Sequence, residues 1–155
     1  MTAGNPDERA ESLRAIEREV GVLIRRVRRV IRVVALEVHP ELQPATYLML
    51  AYLYDAGTVR STTVVDALGI DKGAVSRQIQ HLVDLGLVDR TPDPSDGRAT
   101  LLAISAAGLD RLESVRGPRW EAFDVRLGDW SPDELASFAR QLGRYNRALD
   151  DDQDG

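Results

Sequence analysis

A mainly α-helical chain carrying one β-hairpin between its helices is the fold class this sequence predicts, on three observations. Apolar residues recur in steps of three and four at Leu13, Ile16, Val20, Leu23, Val27, Val30 and Val34, and again at Leu135, Phe138, Leu142, Tyr145 and Leu149. Leu87–Ile104 alone switches to short β-prone runs around a cluster of turn formers. Proline and glycine cut the remainder into segments of helical length. Steps of three and four place apolar side chains on one face of a helix, whereas short β-prone runs bounded by turn residues mark strands.

Taken in order, residues 1–8 form a polar lead, and the first apolar stripe follows as a long helix with a seam for a partner. His39-Pro40 ends it, because proline disfavours helical geometry in the residue before it. A second helix opens at Pro44, presents Tyr47, Leu50, Ala51 and Tyr54 on one face and stops at Gly57. A third covers Ser61 to Leu68 and buries Val64, Val65 and Leu68. Gly69 makes a tight turn, after which Asp71 caps a fourth helix with Val75, Ile79, Leu82 and Val83 inward and Gly86 at its end.

Strand-like Leu87–Thr91 and Ala99–Ile104 then flank Pro92-Asp93-Pro94-Ser95-Asp96-Gly97-Arg98, which predicts a hairpin with a long, polar, protruding tip. Ser105 caps a further helix with Leu109, Leu112 and Val115 on its apolar face. Gly117-Pro118 is expected to kink or break it, with Trp120, Phe123 and Leu127 continuing the face beyond. Ser131-Pro132-Asp133-Glu134 opens the last helix with a serine cap, a first-turn proline and a capping-box glutamate. The tail after Asp150 is expected to fray.

Composition excludes several classes. No run reaches the roughly 18 apolar residues that a membrane helix needs. The polar, acidic first residues lack the basic start and apolar stretch of a signal peptide, so a cytoplasmic protein is expected. The absence of cysteine removes disulfides, thiolate catalysis and thiol sensing. His39 and His81, the only histidines, are too few for a histidine-rich metal centre. With no phosphate-binding glycine loop, metal-spaced acid and histidine set or nucleophile-elbow serine, neither an enzyme nor a cofactor is expected.

Two short helices joined by a glycine turn and followed at once by a hairpin form a winged helix-turn-helix, six helices plus a β-hairpin wing in all. Its second helix has the size to enter a DNA major groove. The expected reading residues are Lys72 as a backbone clamp, Ser76, Arg77, Gln78 and Gln80, with Gly73 and Ala74 allowing close approach. On the wing, Arg98 suits a minor groove, Asp96 lies near enough to orient it, and Arg90 is free to contact phosphate or pair with Asp93. Net charge is −5, but the charges are segregated. Arg9 to Arg32 holds eight arginines against three glutamates, which reads as a solvated helix face or a contact to DNA backbone. Between Arg60 and Arg98, five cations face six aspartates, so specific affinity rests on a few contacts.

Asp71-Lys72-Gly73-Ala74-Val75-Ser76-Arg77, Leu82-Val83-Asp84-Leu85-Gly86-Leu87-Val88-Asp89-Arg90 and Asp93-Pro94-Ser95-Asp96-Gly97-Arg98 together resemble the MarR family of bacterial transcriptional regulators. The wing is the most specific part, and its aspartate and arginine match Asp96 and Arg98. Gly73 and Ala74 depart from the hydroxyl residues common there, and Gly97 from a residue that is often basic. The resemblance implies a homodimer held by the first and last two helices, with two reading helices about 34 Å apart on pseudo-palindromic double-stranded DNA. It also implies repression, relieved in many members by a small aromatic or anionic effector between the dimerisation helices and the DNA-binding lobe. His39, Tyr47, Tyr54, Arg119 and Trp120 are the candidates for that crevice. The expected domains are therefore 9–39 and 105–150 for dimerisation and 44–104 for DNA binding. The alternative is a winged-helix scaffold dimer that does not bind DNA.

Overall fold

Six helices and three short strands run in the order α1 (Pro6–Val38), α2 (Pro44–Ala56), β1 (Val59–Arg60), α3 (Ser61–Leu68), α4 (Lys72–Asp84), β2 (Val88–Asp93), β3 (Asp96–Ile104), α5 (Ala106–Arg126) and α6 (Pro132–Asp150). This is a computed structural model describing residues 6–150; the expected fraying after Asp150 lies outside them. Packing separates two units, Met1–Val115 and Arg116–Gly155.

Helix α1 begins at Pro6, three residues before the expected start, with Asp7 and Glu8 in a first turn that favours negative charge. Only its last turns are buried, through Val34, Ala35 and Val38. Its C-terminal carbonyls lack a basic residue in the last turn, but the Val38 carbonyl accepts a hydrogen bond from Arg111 Nη1 on α5 at 3.2 Å. The rest of the core comes from Leu42, from Met49, Leu50 and Leu53 on α2, from Val64, Val75, Ile79 and Leu82 on α3 and α4, and from Leu87, Val88, Leu102 and Leu112.

The buried face of α2 is thus rotated from the expected one. Thr46, Met49, Leu50 and Leu53 point inward, while Tyr47 and Tyr54 are half-buried at its flanks. A flanking tyrosine covers its ring and keeps its hydroxyl within reach of a polar partner. The other cap signals act as read. Gly69 takes the left-handed conformation at φ 59° after α3, and Asp71 Oδ2 accepts from Ala74 N at 3.0 Å at the head of α4.

The sheet departs from the expected hairpin in two ways. A third strand, β1, pairs antiparallel with β3 through Val59–Leu102 and Arg60–Leu101, giving the order β1-β3-β2. Moreover, the tip is no long loop. The β2–β3 ladder runs from Val88–Ile104 to Pro92–Thr100 and resumes at Asp93–Asp96, leaving a two-residue turn at Pro94-Ser95. Gly97, Arg98 and Ala99 on β3 have no counterpart on β2 and form a bulge.

At the base of the sheet, α5 meets the backbone of Leu87. Ser105 N donates to the Leu87 carbonyl at 3.0 Å, Ser105 Oγ donates to the Gly86 carbonyl at 2.6 Å, and Gly108 N donates back to Ser105 Oγ at 3.0 Å. The helix comes so close that a Cβ at Gly108 would lie 2.2 Å from the Leu87 oxygen. Farther on, of the kink or break expected at Gly117-Pro118 the break does not occur, and α5 runs through Pro118. The proline deprives only the Ser114 carbonyl of its helical donor, on an exposed stretch where water can replace it.

In the second unit, no side chain among the described residues is buried. Trp120 and Phe123 are 70% and 53% exposed, and Trp130 meets Phe138 edge-on with ring centroids 5.5 Å apart. At the start of α6, Ser131 N and Oγ both donate to Glu134 Oε2 at 2.8 Å, and Glu134 N donates to Ser131 Oγ at 3.3 Å. These bonds complete the capping box and hold the Glu134 carboxyl below its ordinary range.

The Gly108–Leu87 contact yields a test by thermal unfolding. Alanine is the better helix former by about 1 kcal/mol, but overpacking against a backbone oxygen costs about 3 kcal/mol. Gly108→Ala is therefore expected to lower Tm by roughly 6 °C, and an unchanged or raised Tm would show that the junction can open.

Candidate nucleic-acid interface

Helix α4 turns Val75, Ile79 and Leu82 into the core, which leaves Lys72, Ser76, Arg77 and Gln80 exposed on the other side. The Arg77 side chain leans back along the helix, with its Nη1 3.5 Å from where a Cβ of Gly73 would stand; that Cβ would also lie 3.0 Å from Asp71 Oδ2. Gly73 thus leaves room for a cap carboxylate and a guanidinium in one turn. Ala74 is half-buried, and the cap already takes its N–H.

Two of the expected readers have other surroundings. Gln78 is half-buried, and its Oε1 is enclosed with no hydrogen-bond partner among the described residues. Gln80 Nε2 donates to Asp84 Oδ1 at 2.7 Å, while its Oε1 accepts from Arg90 Nη1 at 3.3 Å. The Gln80 amide consequently joins α4 to β2 and holds Arg90 beside the reading helix. His81 packs toward the opposite side, its Nε2 3.1 Å from the carbonyl of Glu41. A carbonyl only accepts, so Nε2 carries the proton, and α4 is tied to the α1–α2 connection.

The wing is anchored by a residue outside the expected site. Arg60, the last residue of β1 and the cap position of α3, donates through Nε to Asp93 Oδ2 at 2.7 Å and through Nη2 to Ser95 Oγ at 3.2 Å. Asp93 is buried, and its Oδ1 accepts from Ser95 N and Oγ at 2.8 and 2.7 Å. These Ser95 bonds, with the Arg60 contact second to them, pull the Asp93 carboxyl down to about 2. Asp93 thus binds Arg60 rather than Arg90. Asp96 Oδ1 in turn accepts from the backbone N–H of Arg98 at 3.1 Å, so it shapes the bulge and not the guanidinium. Arg98 is exposed and has no ion-pair partner among the described residues.

Between α3, α4 and the sheet lies an open cleft of about 200 Å³. Lys72, Ser76 and Arg90 line it together with the hydroxyls of Ser61, Thr62 and Thr100. Such cationic and hydroxyl donors suit phosphate oxygens. None of the five effector candidates lines this cleft. His39 is half-buried and its Nδ1 accepts from Glu41 N at 3.1 Å; Tyr47 and Tyr54 pack on the core of the first unit; Arg119 and Trp120 are exposed on the second.

Comparison with known proteins agrees with this geometry. A family model described as the MarR family matches residues 41–99. The HTH-type transcriptional regulator YxaD of Bacillus subtilis is 33% identical over 110 residues, 71% of this chain and 77% of that protein. YdgJ of the same organism, also an HTH-type transcriptional regulator, is 27% identical over 65% of this chain and 62% of its own length. Among solved structures, a MarR protein from Peptoclostridium difficile superposes with a TM-score of 0.72 at 21% identity, over 88% of each chain. A mutant Escherichia coli MarR complexed with operator DNA superposes at 0.60 and 22% identity, over 82% of this chain and 93% of that one. These likenesses show the winged helix-turn-helix fold.

The Arg60–Asp93–Ser95 anchor makes a pH-dependent prediction. Because the folded Asp93 carboxyl titrates near 2, below its unfolded value of about 3.9, its stabilisation is present above about pH 4 and is lost as pH falls towards 2. Urea midpoints measured between pH 5 and pH 2 should fall less steeply for Asp93→Asn than for the unmodified chain. Parallel slopes would remove Asp93 from the wing's support.

Proposed function

This chain belongs to the MarR family of winged helix-turn-helix transcriptional regulators, and on that premise we propose that it represses transcription as a homodimer on a pseudo-palindromic operator. One observation carries the reading. Two cations without a partner among the described residues, Arg77 on the reading helix and Arg98 on the wing bulge, stand exposed on elements whose backbones are fixed by side-chain bonds. Arg77 serves the major groove, where a guanidinium forks onto guanine or phosphate, and Arg98 the minor groove. Lys72, Ser76 and Arg90 supply phosphate contacts that set the register, and Gly73 and Ala74 let the helix start come close. Gln80 acts through Arg90 and Asp96 through the backbone of Arg98, while Gln78, half-buried on the same helix, stays in the proposed set.

The dimer reading is supported by apolar surface that a monomer would leave in water. Leu13, Ile16, Leu23, Val27 and Val30 on α1 are exposed, as are Leu135, Phe138, Leu142 and Leu149 on α6. Helices with such stripes are stable chiefly when a partner covers them. The domain division of 9–39 and 105–150 for dimerisation and 44–104 for DNA follows. We also propose relief of repression by a small aromatic or anionic effector that prefers a state unfit for DNA, with His39, Tyr47 and Tyr54 as its candidate residues on the first unit and Arg119 and Trp120 on the second. Among the described residues no helix is long and apolar enough to cross a membrane, and a cytoplasmic setting fits a regulator of transcription.

Selection of bound sequences from random duplexes by the purified protein should return an inverted repeat with half-sites about 10 bp apart, centre to centre. On that site Arg77→Ala and Arg98→Ala should each weaken binding about tenfold or more. Recovery of an asymmetric site, or indifference to both substitutions, would defeat the proposal.

A further inference from the structure

The charge pattern of α1 has a role that the operator contacts leave unused. Between Glu19 and Glu37 the chain holds no acidic residue, yet Arg25, Arg26, Arg28, Arg29 and Arg32 fall within it. All five are exposed, and none has an ion-pair partner among the described residues. At 3.6 residues per turn, Arg25, Arg28, Arg29 and Arg32 share an arc of about 100° along about 10 Å of helix. The apolar stripe of Ile16, Val20, Leu23, Val27 and Val34 is centred about 180° away. A second copy seated on that stripe leaves the arginine face pointing outward.

Solubility alone does not call for this arrangement. Arg25–Arg28, Arg25–Arg29, Arg28–Arg32 and Arg29–Arg32 are like-charge pairs three or four residues apart, each of which opposes the helix. A solvated face normally intersperses the two signs. No aromatic residue stands between Glu19 and Glu37 to anchor a protein partner. A bilayer that received the apolar stripe would hold the arginines away from its headgroups. What the face complements is a rigid, regularly spaced row of phosphates, which guanidinium groups bind in forked fashion.

We propose that Arg25, Arg28, Arg29 and Arg32 on α1 form a second nucleic-acid surface that grips the phosphate backbone of a DNA duplex without regard to sequence. In a dimer the two surfaces face away from the seam, so a protein seated on one duplex can hold another. This face adds a sequence-independent electrostatic attraction to what the few exposed cations of the reading head supply.

The experiment uses the full chain carrying Arg77→Ala/Arg98→Ala, so that recognition of a target site plays no part. Anisotropy of a labelled 30-bp random duplex is followed from 50 to 200 mM salt. With four phosphates engaged, affinity should fall about a hundredfold across that range. Adding Arg25→Gln/Arg28→Gln/Arg29→Gln/Arg32→Gln should abolish most of that binding and flatten the salt dependence. The double change Arg25→Gln/Arg29→Gln should remove about half of the slope, and lysine at all four positions should retain it. Circular dichroism checks that each variant is folded. Unchanged binding in the glutamine variants, no duplex binding before they are introduced, or capture by anionic vesicles in place of duplex would overturn the proposal. None of these results bears on Arg77 and Arg98, whose test runs on the selected site.

Discussion

The close contact between Gly108 and the carbonyl of Leu87 is the constraint on which the first unit depends. Leu87 stands where α4 has just ended and β2 is about to begin, so its backbone is shared by the reading helix and the wing. Ser105, one residue before α5, bonds to both Leu87 and Gly86. The helix exit, the strand and the start of α5 thereby meet in one hydrogen-bonded knot that excludes a side chain at position 108. A single glycine sets the angle at which α5 leaves the sheet. Arg111, one turn farther on, carries that angle to the end of α1 through the Val38 carbonyl.

Six of the eleven charges between Arg60 and Arg98 are engaged within the chain. Asp71 is spent on a cap, Asp93 on Arg60 and Ser95, Asp84 on Gln80 and Asp96 on a backbone amide. Arg60 is matched within the wing's support and Arg90 is held by Gln80. The near-neutral sum read from the sequence therefore hides an uneven distribution. Asp71, Asp93 and Asp96 turn toward nearby backbone N–H groups, Asp66 and Asp89 stay exposed, and Lys72, Arg77 and Arg98 project with no ion-pair partner among the described residues. A count of charges along the chain misjudges such a surface, because a carboxylate turned toward backbone N–H groups repels phosphate less than a free one.

Features set by neighbours in sequence were legible before the structure was known. The ends of α2, α3 and α4, the Asp71 cap and the Ser131–Glu134 box depend on residues within four positions of one another, and they stand where proline, glycine and small polar residues placed them. What escaped notice depends on distant residues. β1 is only two residues long and exists because Leu101 and Leu102 lie beside it. Arg60 and Asp93 are 33 positions apart, and no local spacing connects them. The rotation of α2 follows the shape of the core rather than the hydrophobicity of its tyrosines. Of the kink or break expected at Gly117-Pro118, the break is absent for the opposite reason: exposure makes the loss of one hydrogen bond small.

The bulge at Gly97-Arg98-Ala99 separates two lengths that a plain hairpin would lock together. In a regular ladder, one residue added to β3 would turn every following side chain to the other face of the sheet, and Leu102 would leave the core. Here three residues already lie outside the pairing, and the ladder closes on both sides of them. Residues gained or lost at this point change how far the arginine reaches while Leu102 stays in place. The tip of the wing can therefore change in length without rebuilding the interior.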